Sequence, residues 1–370
     1  MFYREAGQFK TSYGSDMAVF PILQDRIGVG IILAVALVAI PLLGNDFFIS
    51  SIMIPFLILA LATIGLNILT GYCGQLSLGT GAFMGVGAYA CYKLTTFFPD
   101  ANILLLILLS GFFSAGIGIL FGLPSLRIKG FYLAVATLAA QFFLEWCFIR
   151  IGWLYNYNAS GAIEVAERTA FGFVVAGPAA DPTVRYFAVL IVVILMTWIA
   201  SNLVRGRIGR QWMMIRDMDI AAELIGVRPL AAKLSAFAVS SFYCGVAGAM
   251  YVFLWLGAAE PSAFSINLSF QVLFMAILGG LGSLIGCFMG AAFIWILPLV
   301  LREAPQWIEG AFHAIGMTGV EIGLTAAKVE YWSFVIIGAL IIVILIVEPH
   351  GLARMWQILK QKLRVWPFPY

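Results

Sequence analysis

Runs of about 20 apolar residues, the length of a helix that crosses a lipid bilayer, recur from one end of this chain to the other. They fall near 27–43, 50–69, 78–97, 103–122, 131–150, 185–204, 233–257, 265–281, 283–300 and 332–348. With 62% hydrophobic residues, 11% charged residues, a mean hydropathy of +1.01 and 30 Phe in 370 residues, no water-soluble fold hides this much apolar surface. The chain is therefore predicted to be an all-α integral membrane protein with about ten transmembrane helices. Its net charge of +3 carries no nucleic-acid signal, because the basic residues cluster in loops, where membrane topology puts them. No nucleic-acid partner is expected.

Cys73, Cys91, Cys147, Cys244 and Cys287 all lie inside apolar segments without a Cys-x-x-Cys pair, which argues against a disulfide framework or a metal site. The first 26 residues lack a signal-peptide pattern. The apolar run from Ile27 leads into Pro41-Leu-Leu-Gly-Asn-Asp46 instead of a small-residue cleavage site, so it is expected to remain as an anchor.

Basic residues mark the inner side of a membrane protein. Arg127 and Lys129 put the turn between the fourth and fifth runs inside, and Arg4, Lys10 and Arg26 do the same for the N-terminus. Arg354, Lys360, Lys362 and Arg364 place the tail there too. The loop at 151–184 holds Glu164, Glu167 and Asp181 against Arg168, and the loop at 302–331 is not enriched in Lys or Arg, so both are expected outside. The organisation expected is a cytoplasmic segment at 1–26, one transmembrane domain at 27–348 with a cytoplasmic loop at 205–232, and a basic cytoplasmic tail at 349–370. Both ends inside require an even number of spans. Pro261 and the dense glycines between 257 and 300 leave a broken or re-entrant helix open there.

The inner loop is itself structured. Arginines at 205, 207, 210 and 216 are followed by Asp217, Asp219 and Glu223, and from Met214 to Pro229 the residue types favour helix. On a helix Arg216, Asp219 and Glu223 share one face, while Met214, Met218, Ala221 and Ile225 share another. Such a helix must set its apolar stripe against something: the lipid headgroup layer or a protein on the cytoplasmic side.

Gly282, Gly286 and Gly290 form a small-xxx-small series, repeated by Gly81/Gly85 and Gly118/Gly122, which predicts close helix packing in lipid. No Gly-x-x-x-x-Gly-Lys-Ser/Thr occurs, so the chain is not expected to bind ATP itself. A polar, glycine-interrupted patch runs from Gly65 to Phe83. Its Asn67, Gln75 and Ser77 either line a path for a small polar solute or cap a turn between two spans. Tyr132, Thr137 and Gln141, spaced near four, face the bundle interior, on that path or in interhelical hydrogen bonds. Catalytic constellations are absent: His313 and His350 belong to different regions, and Glu145 and Lys93 sit near span ends where they snorkel to the interface. Scarce mid-membrane carboxylates weaken the reading of an ion-coupled carrier.

Five blocks carry a family resemblance: Gly65 to Ala90, Leu126 to Leu138, Gly209 to Gly226, Lys233 to Phe237 with Ala247 to Tyr251, and Ile277 to Gly286. In this order they resemble the LivM-type permease subunits of branched-chain amino acid ABC importers. The resemblance implies a permease fold with a cytoplasmic coupling helix seated in a groove of an ATPase. Arg210, Arg216, Asp219, Ala221, Ala222, Glu223 and Gly226 are then the coupling residues. Ile220 stands where the family pattern Glu-Ala-Ala-x-x-x-Gly has its glutamate, and Asn158-Ala-Ser-Gly-Ala-Ile163 replaces a Gly-Gly-Ser-Asp-Gly-Leu common in relatives. Also implied are a homologous second permease completing a heterodimeric pore, two ATPase subunits that bind ATP and Mg, and a periplasmic solute-binding protein. The setting implied is the bacterial inner membrane, with solute moved by alternating access. This chain is expected to hold no cofactor or metal and to carry no catalytic residue. The cargo implied is branched-chain amino acids, with urea, short amides or aromatic acids as alternatives and an ion-coupled carrier as the other class.

Overall fold

A computed structural model describes residues 11–12, 23–125, 132–158, 160–314, 326–348 and 350–365. The expected inner turn with Arg127 and Lys129, most of the 1–26 segment, residues 315–325 of the second outer loop, the end of the tail and the Tyr132 side chain lie outside the described residues.

Proline positions shape the first helices. Helix α1 (Leu23–Ala34) passes through a wide π turn, Val35–Ala39, into α2 (Ile40–Leu43), where Pro41 brings no N–H to the ladder. A second π turn, Phe48–Met53, precedes α3 (Ile54–Asn67), whose second residue is Pro55. Pro55 leaves the Ser51 carbonyl without its helical donor, and the Trp295 indole N–H supplies one at 3.3 Å. Then follow α4 (Thr80–Phe97), α5 (Ile103–Ser125) and α6 (Tyr132–Arg150). Helices α7 (Pro182–Arg205) and α9 (Pro229–Met250) each begin on proline, where a missing N–H costs nothing, and α8 (Arg207–Leu224) lies between them. The chain ends with α10 (Ile266–Gly279), α11 (Leu284–Ala314), α12 (Ala326–Val347) and α13 (Leu352–Val365).

Eight of these stretches, among the described residues, are long and apolar enough to cross a membrane. The runs expected at 78–97 and 332–348 are not among them, but both are helices, α4 and the body of α12. Helix α4 carries Thr80, three glycines and Lys93, which lower its hydropathy, and it is buried by its neighbours instead of facing lipid. The protein is a multi-pass, all-α membrane protein. Its strands are short: β1 (Ile163–Glu164) pairs antiparallel with β4 (Ala258–Ala259), and β2 (Arg168–Ala170) with β3 (Phe173–Ala176).

The β1–β4 pair settles the course between 257 and 300. Ala258 and Ala259 sit at the end of the bundle that holds the 151–184 loop, whereas the turn after Gly279 meets Asn67 and Gly71 at the opposite end. Helix α10, extended by the turn Pro261–Phe264, therefore traverses the bundle, and α11 starts back from the far end.

Helix α9 is the hub, packed on α5, α4 and α3. In lipid the apolar effect does not distinguish helix from bilayer, so close backbone approach must hold the hub together. A Cβ on Gly87 would overlap the Gly245 carbonyl, and one on Gly248 would overlap that of Met84.

Candidate functional site

Helix α3 ends in a third π turn, Ile68–Tyr72, and Gly74 at φ +71° takes the chain out of the helix until α4 begins. The first N–H groups of α4 have no acceptor in their own helix, and Gly79 offers no capping side chain. Other helices provide the cap. Leu78 N–H donates to Thr137 Oγ1 at 3.0 Å, Gly81 N–H to Ser269 Oγ at 2.8 Å, and Ala82 N–H to Gln141 Oε1 at 2.7 Å. Ser269 Oγ in turn donates to Gln141 Oε1 at 3.0 Å, and Gln141 Nε2 to the Phe264 carbonyl at 2.7 Å. Ser77 accepts from Gly79 N–H at 3.4 Å. Ser77, Thr137 and Gln141 are buried, and the bonds they make are capping and interhelical ones.

Asn67 follows the same rule. It is fully buried; its Oδ1 accepts from Gly282 N–H at 2.9 Å, and its Nδ2 donates to the Ser283 carbonyl at 3.1 Å and approaches Cys287 Sγ at 3.1 Å. The carboxamide thus fastens the broken span to the turn between α10 and α11. Ser283 then caps α11, its Oγ accepting from Gly286 N–H at 3.1 Å. Gln75 differs: it is buried, yet its Oε1 has no hydrogen-bond partner among the described residues.

Arg216 of the charged loop meets this junction. Arg216 Nη1 donates to the Gly71 carbonyl at 3.0 Å, while its Nε pairs with Asp217 at 2.8 Å. A Cβ on Gly74 would lie 2.9 Å from Arg216 Cγ, so glycine is required there by approach as well as by φ. The expected charged face of Arg216, Asp219 and Glu223 is not formed as one surface. Helix α8 is kinked at Met218 (φ −161°, ψ 94°), which breaks the helical spacing; Arg216, itself exposed, reaches the Gly71 carbonyl, and Asp219 approaches Lys233 Nζ at 3.8 Å. Arg210, Ala221 and Glu223 remain exposed. Beyond the kink the bare surface is apolar: Met218, Ile220, Leu224 and Ile225 are each 67% exposed or more. Of the expected stripe, Met214 and Ala221 are exposed as well, and the kink adds Ile220 and Leu224.

The rest of α8 is fixed. Trp212 is fully buried and its indole N–H donates to Ser235 Oγ at 2.9 Å; Gly209 lets the backbone press on the Val204 carbonyl. Ala222 is buried, and its carbonyl accepts from Val227 N–H at 3.0 Å while Gly226, at φ +91°, donates to the Glu223 carbonyl at 3.0 Å. That pair of bonds is a Schellman cap, which makes Ala222 and Gly226 structural.

The glycine series divides. A Cβ on Gly286 would overlap the Gly279 carbonyl, and one on Gly290 the Met275 carbonyl, so both glycines permit the α10–α11 contact as expected. Gly282 is not in a helix. It sits in the turn at φ +81°, and conformation, not packing, requires glycine there.

At the other end of the bundle Lys93 is buried, not snorkelling: it donates to Asn156 and lies 4.3 Å over the Trp153 ring. Arg168 clasps the carbonyls of Thr95 (2.8 Å) and Pro99. Lone basic residues within outer segments were the available sequence signal. Gly71 and Gly74 belong to the glycine-interrupted patch, whereas the role of Ser269 depends on partners distant in the chain.

The family described as branched-chain amino acid transport system / permease component matches residues 48–345. The chain is 30% identical over 315 residues to the high-affinity branched-chain amino acid transport system permease protein LivM of Salmonella typhimurium, covering 79% of this chain and 67% of that protein. It is 29% identical over the same length to the LivM of Escherichia coli, with the same coverage. No solved structure matches.

Proposed function

Since the chain belongs to the branched-chain amino acid transport permease family, we propose that it forms half of the membrane pore of an ATP-driven importer of branched-chain amino acids. The observation that carries this reading is the exposed apolar surface at Met218, Ile220, Leu224 and Ile225, mounted on a helix that is bolted to the bundle by Trp212 and Arg216. Such a surface suits a groove on a cytoplasmic ATPase, where buried apolar anchors give adhesion. Movement of α8 is passed by Arg216 to Gly71, and by Asn67 from the broken span to the α10–α11 turn, so that the two respond together. ATP binding and hydrolysis, with Mg, belong to the ATPase pair; this chain contributes alternating access. A homologous second permease completes the pore, a solute-binding protein docks at the end bearing β1–β4, and Gln75, with its unpaired oxygen, is the residue nearest to a path role. The basic loop and tail support a cytoplasmic α8 by the positive-inside rule, and the relatives support a bacterial inner membrane as its setting.

Reconstitution tests this. The chain alone in liposomes should accumulate no solute under a proton gradient or with ATP. Accumulation of Leu, Ile or Val should appear once the second permease, the ATPases and the binding protein are added. Gradient-driven uptake by the lone chain would transfer the assignment to a secondary carrier, and uptake of urea, short amides or aromatic acids instead of Leu, Ile and Val would change the cargo.

A further inference from the structure

Helix α13 starts only four residues after α12 ends, at Glu348–Gly351, so it cannot leave the membrane surface. Its first turn is fixed: Gly351, at φ +76°, packs against the Leu278 carbonyl and Gly280 N, and Ala353 is buried beside Gly280. On a helix of 3.6 residues per turn, Leu352, Met355, Trp356 and Leu359 form one stripe, with Lys360 and Lys362 along its two edges and Arg354 and Gln361 opposite. This stripe is not used by the bundle, for Met355, Trp356 and Leu359 are each 42% exposed or more. From residue 349 to 370 the chain has four Lys or Arg residues and no Asp or Glu.

We propose that α13 is an interfacial helix that binds the anionic lipid surface of the membrane leaflet on its own side. The chemistry has two halves. Trp356, Met355 and the leucines enter the boundary between headgroups and acyl chains, and long basic side chains at the stripe's edges reach phosphate. Each basic residue near an anionic surface strengthens binding by about fivefold. The charge of α13 distinguishes its occupant from that of α8, whose bare surface beyond Met218 is apolar with acidic Glu223 beside it. Because α13 is seated on Gly280, lipid charge acts at the turn that Asn67 and Gly282 join to the broken span.

The test uses the full chain with Cys147 changed to alanine and L359C labelled with an environment-sensitive fluorophore, in vesicles of DOPC or of DOPC mixed with DOPG. Emission should shift to the blue in the DOPG mixture. In unsubstituted charge background the shift should shrink when salt is raised to about 1 M, where the Debye length is about 3 Å. The triple variant R354E/K360E/K362E should lose it. Equal emission in both compositions and no response to salt would overturn the proposal. So would a blue shift that appears only when ATPase subunits are added, since the surface would then belong to a protein partner.

Discussion

A buried carboxamide has two donors and an acceptor to satisfy, and at Asn67 the α10–α11 turn meets them. Replacing it by alanine leaves the Gly282 N–H and the Ser283 carbonyl without partners, at a cost of about 1–3 kcal/mol. N67A should lower the thermal unfolding midpoint of the purified chain, and N67D should lower it at least as much, because a buried carboxylate oxygen then faces the Ser283 carbonyl. An unchanged midpoint in N67A would mean that the turn is held by other contacts. The glycines nearby make a sharper comparison. At Gly282 the positive φ costs a non-glycine residue about 1–2 kcal/mol, a penalty that asparagine tolerates better than alanine. At Gly286 any Cβ meets the Gly279 backbone. G282N should therefore fold better than G282A, whereas G286N and G286A should both lose folded yield by size-exclusion chromatography; rescue by asparagine at 286 would refute the packing role.

Helix α8 has two halves with different duties, divided at Met218. The first half is anchored by Trp212, and Arg216 carries its position to Gly71. The second half displays the apolar surface. Leu224 is 84% exposed, so L224D should leave folding of the chain nearly unaffected while setting an unpaired charge in the partner's groove. Its expected signature is loss of ATPase co-purification at unchanged yield. R216E should behave otherwise: the complex assembles, but uptake is lost because the side chain no longer holds the broken span. Normal uptake by R216E would remove the relay from the mechanism, and retention of the ATPase by L224D would remove the docking surface.

Across the whole molecule the two ends are built differently. One end is covered by the paired strands and the Lys93 and Arg168 contacts; the other carries α8, the broken span, the α10–α11 turn and the start of α13 in mutual contact. On the proposed alternating access, the second end opens in one nucleotide state. Cys73 lies at that end, in the non-helical segment, where burial pushes its thiol up to about 12 despite the nearby Lys233. As the folded value is raised, the thiol stays neutral near neutral pH and forms little of the reactive thiolate. In this conformation Cys73 should react slowly with a hydrophilic maleimide, and in the assembled transporter its labelling should rise in one nucleotide state. Equal protection in both states would show that the 73–79 segment does not open.

The sequence by itself determined the class and the helices, because apolar run length is read against the bilayer, a solvent that imposes the same demands at every position. It also located the charged loop at 205–232 and the breaks within 65–83 and 257–300, since glycine, proline and charge are local signals. What only the tertiary structure decided is the partner of each polar group. Thr137 and Gln141 read equally as pathway residues or interhelical partners until the N–H groups of Leu78 and Ala82 are found beside them, and Arg216 looks like a partner-facing charge until Gly71 accepts its hydrogen bond. The kink at Met218 likewise has no local cause in the residues around it and rephases the surface that helical periodicity assigns. Hydrogen bonds between residues 59 to 216 positions apart leave no trace in a periodic pattern, because the pattern records which face is apolar and not which donor meets which acceptor.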